Sequence, residues 1–188
     1  MLAFGRNPGT ARWLSLAVAL ATFVCSIPLW TNYVPTQAGM QFVEHLPWSD
    51  ALKTSYALGA DGISIALIVL TTFTSVLVLL GSWGPIDKRV SQYMAAMLAL
   101  EGLLIGVFAA TDALLFYVFF EGMLIPMFII IGIWGGPRRV YATLKFFIYT
   151  FLGSIFMLVG LIYLRMKTGS FALEDFAHAG LGLREQAW

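Results

Sequence analysis

The sequence predicts an all-α, polytopic membrane protein with about five membrane-spanning helices. The first observation is composition: 60% of the 188 residues are hydrophobic and 11% are charged, whereas soluble domains average about half and about a quarter. The second is that the apolar residues fall into five stretches, each close to the roughly 20 residues that cross a bilayer as a helix. One small globule cannot bury this much apolar surface, so lipid is expected to solvate the rest.

The five predicted spans are too long and too continuous for barrel strands, and in hydrocarbon a helix satisfies its own backbone polar groups. Trp30, Trp83 and Trp134 lie at span ends, where indole rings favour the headgroup region. A cleaved signal peptide over Met1–Cys25 is the alternative for the first span, but the apolar run continues to Trp30 without a small-x-small cleavage site. The spans are Trp13–Trp30, Ile63–Trp83, Tyr93–Ala110, Ala113–Trp134 and Val140–Leu164.

The whole chain, residues 1–188, is predicted to be a single transmembrane domain that ends in a polar tail, Thr168–Trp188. The connection Asn32–Asp61 is long and polar, whereas Gly84–Ser91 is short and basic. Thr111–Asp112 leaves almost no loop, so the third and fourth helices are expected to form a tight hairpin.

Basic residues predict the orientation. If the spans alternate, one side of the membrane receives Arg6, Arg12, Lys88, Arg89, Arg138 and Arg139. The other side receives Lys53, Arg165, Lys167 and Arg184. Because cytoplasmic loops carry the excess of Lys and Arg, the N-terminus is predicted to be cytoplasmic. The predicted location is the bacterial inner (plasma) membrane, crossed several times.

Familiar cofactor signatures are missing from the sequence. It contains no Walker sequence, no Gly-rich dinucleotide fingerprint, no paired Cys and no His pair at haem spacing. Cys25 stands alone, and His45 and His178 are far apart in expected loops. A net charge of +1 gives no argument for nucleic acid. No cofactor is therefore expected in this chain, and if it belongs to a redox enzyme, other subunits hold the redox centres.

Two acidic residues lie within predicted spans and are the candidates for chemistry. Glu101 is central in the third span, and Glu121 is close to central in the fourth. An ionised acid at this depth costs about 3 kcal/mol or more, so such a group faces protein or water. A carboxyl that can be neutral or charged near pH 7 is what a proton relay requires. The alternative is a protonated Glu that only hydrogen-bonds a neighbouring helix.

The surroundings of Glu121 favour proton transfer. Tyr117 lies one turn earlier on the same helix face and can support the acid as a hydrogen-bond donor. Pro126 has no backbone N–H, which leaves the carbonyl of Gly122 free next to the acid.

Two candidates, Glu101 and Lys145, are weaker than Glu121. Glu101 is followed by Gly102-x-x-x-Gly106, a spacing that permits close helix approach. Lys145 lies near the start of the last span, where it can either snorkel to the interface as an anchor or take part in charge transfer. Tyr149 lies one turn further along its face.

Four segments resemble the chain M (subunit 4) family of NADH:quinone oxidoreductase, complex I, whose members are antiporter-like membrane subunits. In order, they are Tyr56-Ala-Leu-Gly-Ala-Asp-Gly-Ile-Ser64, Leu115-Phe-Tyr-Val-Phe-Phe-Glu-Gly-Met-Leu-Ile-Pro-Met127, Gly132-Ile-Trp-Gly-Gly136 and Lys145-Phe-Phe-Ile-Tyr-Thr150. The second and fourth segments are the most specific. The resemblance covers the chain from about Trp13 to Leu164.

The resemblance implies a function and partners. Family members have two inverted repeats of helices, each with a half-channel for protons that redox work elsewhere in the complex drives outward. Glu121 matches the family's essential glutamate. The resemblance also implies NADH, FMN, iron–sulfur clusters and quinone in other subunits, and as partners the other membrane-arm subunits and the lipid bilayer.

The chain departs from the family pattern in extent. It matches only the second to sixth of about fourteen helices, so the broken seventh helix, whose lysine pairs with the matched glutamate in the family, lies outside it. We therefore expect a fragment that is inactive alone.

Other readings from the sequence remain. The nearest is a subunit of a multisubunit cation/proton antiporter, and related hydrogenase membrane subunits are a further one. A non-catalytic membrane scaffold, whose buried acids only join helices, belongs to a different class.

Overall fold

The computed structural model describes residues 7–37, 39–49 and 54–182. In this part of the chain, five helices are long and apolar enough to cross a membrane, and the all-α fold-class prediction is confirmed. They are α1 Pro8–Thr31, α2 Gly62–Gly81, α3 Val90–Ala109, α4 Ala113–Trp134 and α5 Arg139–Thr168. The first and last exceed their predicted spans because short polar stretches extend each helix beyond the apolar run.

Carboxylates at two helix starts explain where α2 and α4 begin. Asp61 precedes α2 and accepts a hydrogen bond from the Ser64 backbone N–H at 2.7 Å. This bond to the charged form holds the pKa of Asp61 below its usual value. Asp112 precedes α4 and accepts from the backbone N–H groups of Leu114 and Leu115. Each carboxylate satisfies donors that the first helical turn leaves unpaired.

The helices pack against their neighbours in chain order, and α1 also contacts α3. An apolar cluster joins α1, α2 and α3; its buried members are Leu16, Ala19, Val76, Leu79, Val90, Tyr93 and Met94. In α5, by contrast, the buried residues are Thr143 and Ser154. Most of α5 therefore presents apolar side chains outward, as expected for a surface that meets lipid or further protein.

The two glycines that follow Glu101 on α3 differ in their surroundings. A Cβ atom built on Gly106 would lie 2.7 Å from the Phe119 ring of α4, whereas one built on Gly102 meets no atom within 4 Å. The predicted close approach of helices therefore occurs at Gly106 and not at Gly102.

This difference predicts unequal effects of the same substitution. Gly106→Ala should separate α3 from α4 or displace Phe119, at a cost of about 1–3 kcal/mol. Gly102→Ala should be neutral or slightly stabilising, because alanine is the better helix former. Thermal unfolding of the purified protein in detergent checks this. Equal melting temperatures for the two variants would contradict the packing.

A two-stranded antiparallel hairpin lies in the connection between α1 and α2. Its strands are β1 Gln41–Ser49 and β2 Thr54–Ala60, with a register that pairs His45 with Ala57. The expectation that His45 lies in a loop was wrong, because the segment pairs with β2, although the His45 side chain is exposed. Hydrophobic periodicity did not indicate these strands, since most side chains of β1 face outward.

The hairpin and the tail meet the α3–α4 turn at one end of the bundle. The Thr111 N–H donates to the Ala57 carbonyl at 3.0 Å, and the Ala113 N–H donates to the Phe171 carbonyl at 2.8 Å. The tail contains a short helix, α6 Leu173–Ala177. We call this the hairpin end.

The opposite end carries basic residues, and we call it the basic end. Arg12 of α1 donates to the Ile86 carbonyl at 2.7 Å, in the α2–α3 connection. The Trp134 indole N–H, at the end of α4, donates to the Lys88 carbonyl at 2.8 Å. Arg138 and Arg139 follow Trp134 directly. Met1, Arg6, Lys53 and Arg184, on which the orientation also rests, lie outside the described residues.

Candidate buried acid site

Glu121 lies in the middle of α4, on the side of that helix that faces α5. Gly132 of α4 approaches Thr143 of α5, with 3.6 Å between its built Cβ and the Thr143 hydroxyl oxygen. At 100° per residue, Glu121 lies about 20° from Gly132 around the helix. Its Oε1 atom is buried and, within the described part of the chain, has no hydrogen-bond partner. This carboxyl therefore combines burial with spare hydrogen-bonding capacity.

Tyr117 joins the acid to α5. Its hydroxyl interacts with the Glu121 side chain on its own helix and with Ser154 on α5. Ser154 is buried and bonds the Phe151 carbonyl of its own helix at 2.9 Å. The structure thus places a tyrosine beside the acid and a serine beside that tyrosine. Sequence reasoning missed Ser154, although a polar residue deep in an apolar span was a signal that could have found it.

The backbone of α4 beside the acid lacks one helical hydrogen bond. The helix runs unbroken from Ala113 to Trp134 through the buried Pro126. Because proline has no N–H, the Gly122 carbonyl loses its helical donor. A Cβ built on Gly122 lies 3.1 Å from the Leu103 side chain of α3, so a larger residue would press on that helix. The free carbonyl belongs to the residue that directly follows Glu121 in the chain.

Lys145 is not brought to Glu121. It is exposed on α5, and its Nζ lies 5.8 Å from the ring centre of Tyr141 and 6.0 Å from that of Tyr149. Ser154, at the level of the acid site, is nine residues further along α5, roughly 13 Å by helical rise. Lys145 is therefore a cation held between two tyrosine rings on the outer surface of the bundle.

Glu101 forms a separate buried site. Leu103 and Gly106 mark the side of α3 that faces α4, through their contacts with Gly122 and Phe119. At 100° per residue, Glu101 lies roughly 160° from Leu103 and roughly 140° from Gly106 around the helix, on the opposite side. Its side chain is 3% exposed, so its carboxyl is almost completely removed from water. The two acids consequently face different helices, and the structure does not bring them together.

Metal sites and cavities are two other kinds of functional site. Among the described residues, no group of three or more His, Cys, Asp or Glu side chains could hold a metal ion. A cavity of about 990 Å³ at the hairpin end is lined by residues of the hairpin, the start of α2 and the α3–α4 turn, and none of the predicted site residues lines it.

Sequence comparison decides the family. Residues 12–107, a little over half of the chain, match the family described as NADH-ubiquinone oxidoreductase chain 4, amino terminus. The chain belongs to this chain 4 family. Residues 110–187 match a second family, described as NADH:quinone oxidoreductase/Mrp antiporter, TM. The resemblance found in the sequence is confirmed.

Curated members of the chain 4 family are longer than this chain. NADH-quinone oxidoreductase subunit M of Rhodobacter capsulatus is 48% identical over 176 residues, which cover 91% of this chain and 34% of that protein. NADH-ubiquinone oxidoreductase chain 4 of Arabidopsis thaliana is 43% identical over 164 residues, covering 87% and 33%. The chain thus spans about a third of the length of these relatives.

Solved structures share the fold. Respiratory complex I from Thermus thermophilus with bound NADH matches with a TM-score of 0.80 and 31% identity, over 91% of this chain and 35% of the other. The Mrp complex from Dietzia sp. DQ12-45-1b matches with a TM-score of 0.78 at 16% identity, over 90% and 18%. The second match shows an antiporter-like fold alone.

Proposed function

We propose that this chain contributes part of a proton half-channel to the membrane arm of an NADH:quinone oxidoreductase. The observation that carries the proposal is the Glu121 carboxyl, on the side of α4 that faces α5. Its buried Oε1 has no hydrogen-bond partner among the described residues, and Tyr117 lies beside it. Membership of the chain 4 family supports the choice of enzyme, because its relatives carry the name of that oxidoreductase.

In this proposal Glu121 is the proton carrier. A cation brought close to a carboxyl favours its carboxylate form. Tyr117 donates a hydrogen bond to the carboxylate and holds it in place after the proton leaves. Movement of a cation towards or away from Glu121 would therefore release or rebind one proton. Lys145 is exposed on the outer surface of α5 and supplies a positive charge to any helix that packs against that surface.

The redox reaction takes place elsewhere in this scheme. NADH, FMN, iron–sulfur clusters and quinone are assigned to other subunits, which are the proposed partners of this chain within the membrane arm. The chain by itself does no redox chemistry and transfers protons only as part of the assembly.

Copurification tests the assembly. A tagged subunit that contains this chain should purify from membranes with NADH-oxidising activity and iron–sulfur absorption. A second candidate function, in a cation/proton antiporter, is favoured by the antiporter-like fold shared with the Mrp complex. Purification with antiporter subunits and no NADH oxidation would replace the first proposal by the second.

The basic end is proposed to face the cytoplasm, with the hairpin end and Thr168–Trp188 on the outer side. In a Cys25→Ser background, Glu44→Cys on the exposed strand β1 should react with a membrane-impermeant thiol reagent applied to intact spheroplasts. Asp87→Cys, in the exposed α2–α3 connection, is the matched control and should react only after permeabilisation. The reverse pattern would overturn this orientation.

A further inference from the structure

Glu101 occupies a buried position that the proposed Glu121 mechanism does not use. Its carboxyl lies on the side of α3 away from α4, and within the described residues its buried Oε1 has no hydrogen-bond partner. Met94, seven residues before Glu101 on the same face, belongs to the apolar cluster that joins α3 to α1 and α2. Glu101 therefore faces α1 and α2, about two turns from that cluster in the direction of the hairpin end.

The same two-turn step leads to polar residues on all three helices. Three residues that are buried at the level of the cluster are Ala19 of α1, Leu79 of α2 and Met94 of α3. Seven residues from each, towards the hairpin end, the chain has Ser26, Thr72 and Glu101, all of them buried. Seven residues are about two turns, or roughly 10 Å, so the three polar side chains occupy one layer.

The two hydroxyl groups of this layer hold each other directly. The Ser26 Oγ and Thr72 Oγ1 atoms are 2.9 Å apart. Ser26 also lies 2.7 Å from the Phe23 carbonyl, and Thr72 lies 3.0 Å from the Val69 carbonyl. Two hydroxyl hydrogens thus serve three contacts. One contact is always without its hydrogen, and a hydroxyl that turns its hydrogen to a carboxylate exchanges one of these bonds for a charge-assisted one.

Few titratable groups lie near the Glu101 carboxyl on α1, α2 and α3. The α2 sequence contains no titratable residue. On α1, Arg12 is bound to the Ile86 carbonyl at the basic end, and Cys25 is exposed. Tyr93 of α3 belongs to the apolar cluster, about two turns closer to the basic end than Glu101.

The remaining titratable neighbours belong to α4 and β2. Tyr117 and Glu121 of α4 lie at the α5 interface, and Tyr56 of β2 is exposed. With no nearby cation among the described residues, burial favours the neutral carboxylic acid.

We propose that Glu101, Ser26 and Thr72 form a second proton-binding site, separate from Glu121. In the protonated form the carboxylic acid donates its hydrogen to a hydroxyl oxygen of the pair. When the proton leaves, one hydroxyl turns its hydrogen to the carboxylate. One proton is bound or released. Because the Glu101 Oε1 atom has no hydrogen-bond partner among the described residues, the exchange requires the Glu101 side chain to turn towards the hydroxyl pair. The site does not depend on the function proposed for Glu121.

Infrared difference spectroscopy tests the site on membranes that contain the assembled complex, titrated from acid to alkaline pH. Subtraction of Glu101→Gln from the parent should reveal one protonated-carboxyl C=O band. The double variant Ser26→Ala, Thr72→Val should shift that band and raise the proton affinity about tenfold, because a hydrogen bond to the carboxylate is lost.

Ser154→Ala is the matched control, because Ser154 is equally buried and bonds its own helix in the same way. It should leave the band and its titration unchanged, and Glu121→Gln should retain the band even if proton pumping stops. If Glu101→Gln does not assemble, Glu101→Asp should show a displaced band. The proposal is overturned if no band is lost with Glu101, or if the hydroxyl double variant titrates like the parent.

Discussion

Glu121→Gln, made in the full-length subunit, should reduce quinone-linked proton pumping by about tenfold or more, while the complex still assembles. Glutamine keeps the size of the side chain and its contact with Tyr117, but it cannot take up or release a proton. Proton uptake by sealed inverted vesicles during NADH oxidation is the measurement. The electron-transfer rate of the same vesicles shows whether the redox part remains intact.

Three companion variants separate proton transfer from packing. Glu121→Asp keeps a titratable group but withdraws it by one methylene, so part of the pumping should remain. Tyr117→Phe removes the supporting hydroxyl and should have a smaller effect than loss of the acid. Ser154→Ala should weaken pumping less still. Parental pumping by a fully assembled Glu121→Gln variant would show that the acid is only a buried polar contact.

Asp112→Ala should destabilise the hairpin end by about 2–4 kcal/mol. Asp112 is 2% exposed and accepts from Leu114 and Leu115 at the start of α4. Its second oxygen accepts from the Ser55 backbone N–H of β2 at 3.2 Å. Alanine leaves these donors without their partner and removes one of the links between the hairpin and the bundle. Thermal unfolding in detergent should show a clear decrease in melting temperature, and membranes should contain less assembled protein.

Asp61→Ala is the matched control for this prediction. Asp61 also caps a membrane-spanning helix, but it does so through the Ser64 N–H, and within the described part of the hairpin it has no bond of this kind. Its loss should therefore cost only about 0.5–2 kcal/mol. An Asp112→Ala variant no less stable than Asp61→Ala would show that the bond to Ser55 contributes nothing.

The sequence was informative about the helices because the bilayer imposes a length and a composition on every span. Runs of about 20 apolar residues indicated α1 to α5. The tight α3–α4 connection followed from Thr111 and Asp112. The hairpin was not predicted, since the outward-facing residues of β1 lack a regular alternation of buried and exposed positions. Its pairing depends on a partner strand and on the α3–α4 turn, contacts that no local pattern reveals.

The residue types and depths of the two acids were determined by the sequence alone. Glu101 and Glu121 are ionisable residues within membrane spans, where such residues are rare, and this made both of them candidates. Their directions were decided by tertiary structure. Packing of Gly106 against Phe119 sets the rotation of α3, which turns Glu101 away from α4. Packing of Gly132 near Thr143 turns Glu121 towards α5 and Ser154. A helical period relates residues within one helix, but the rotation of that helix depends on the side chains of its neighbours.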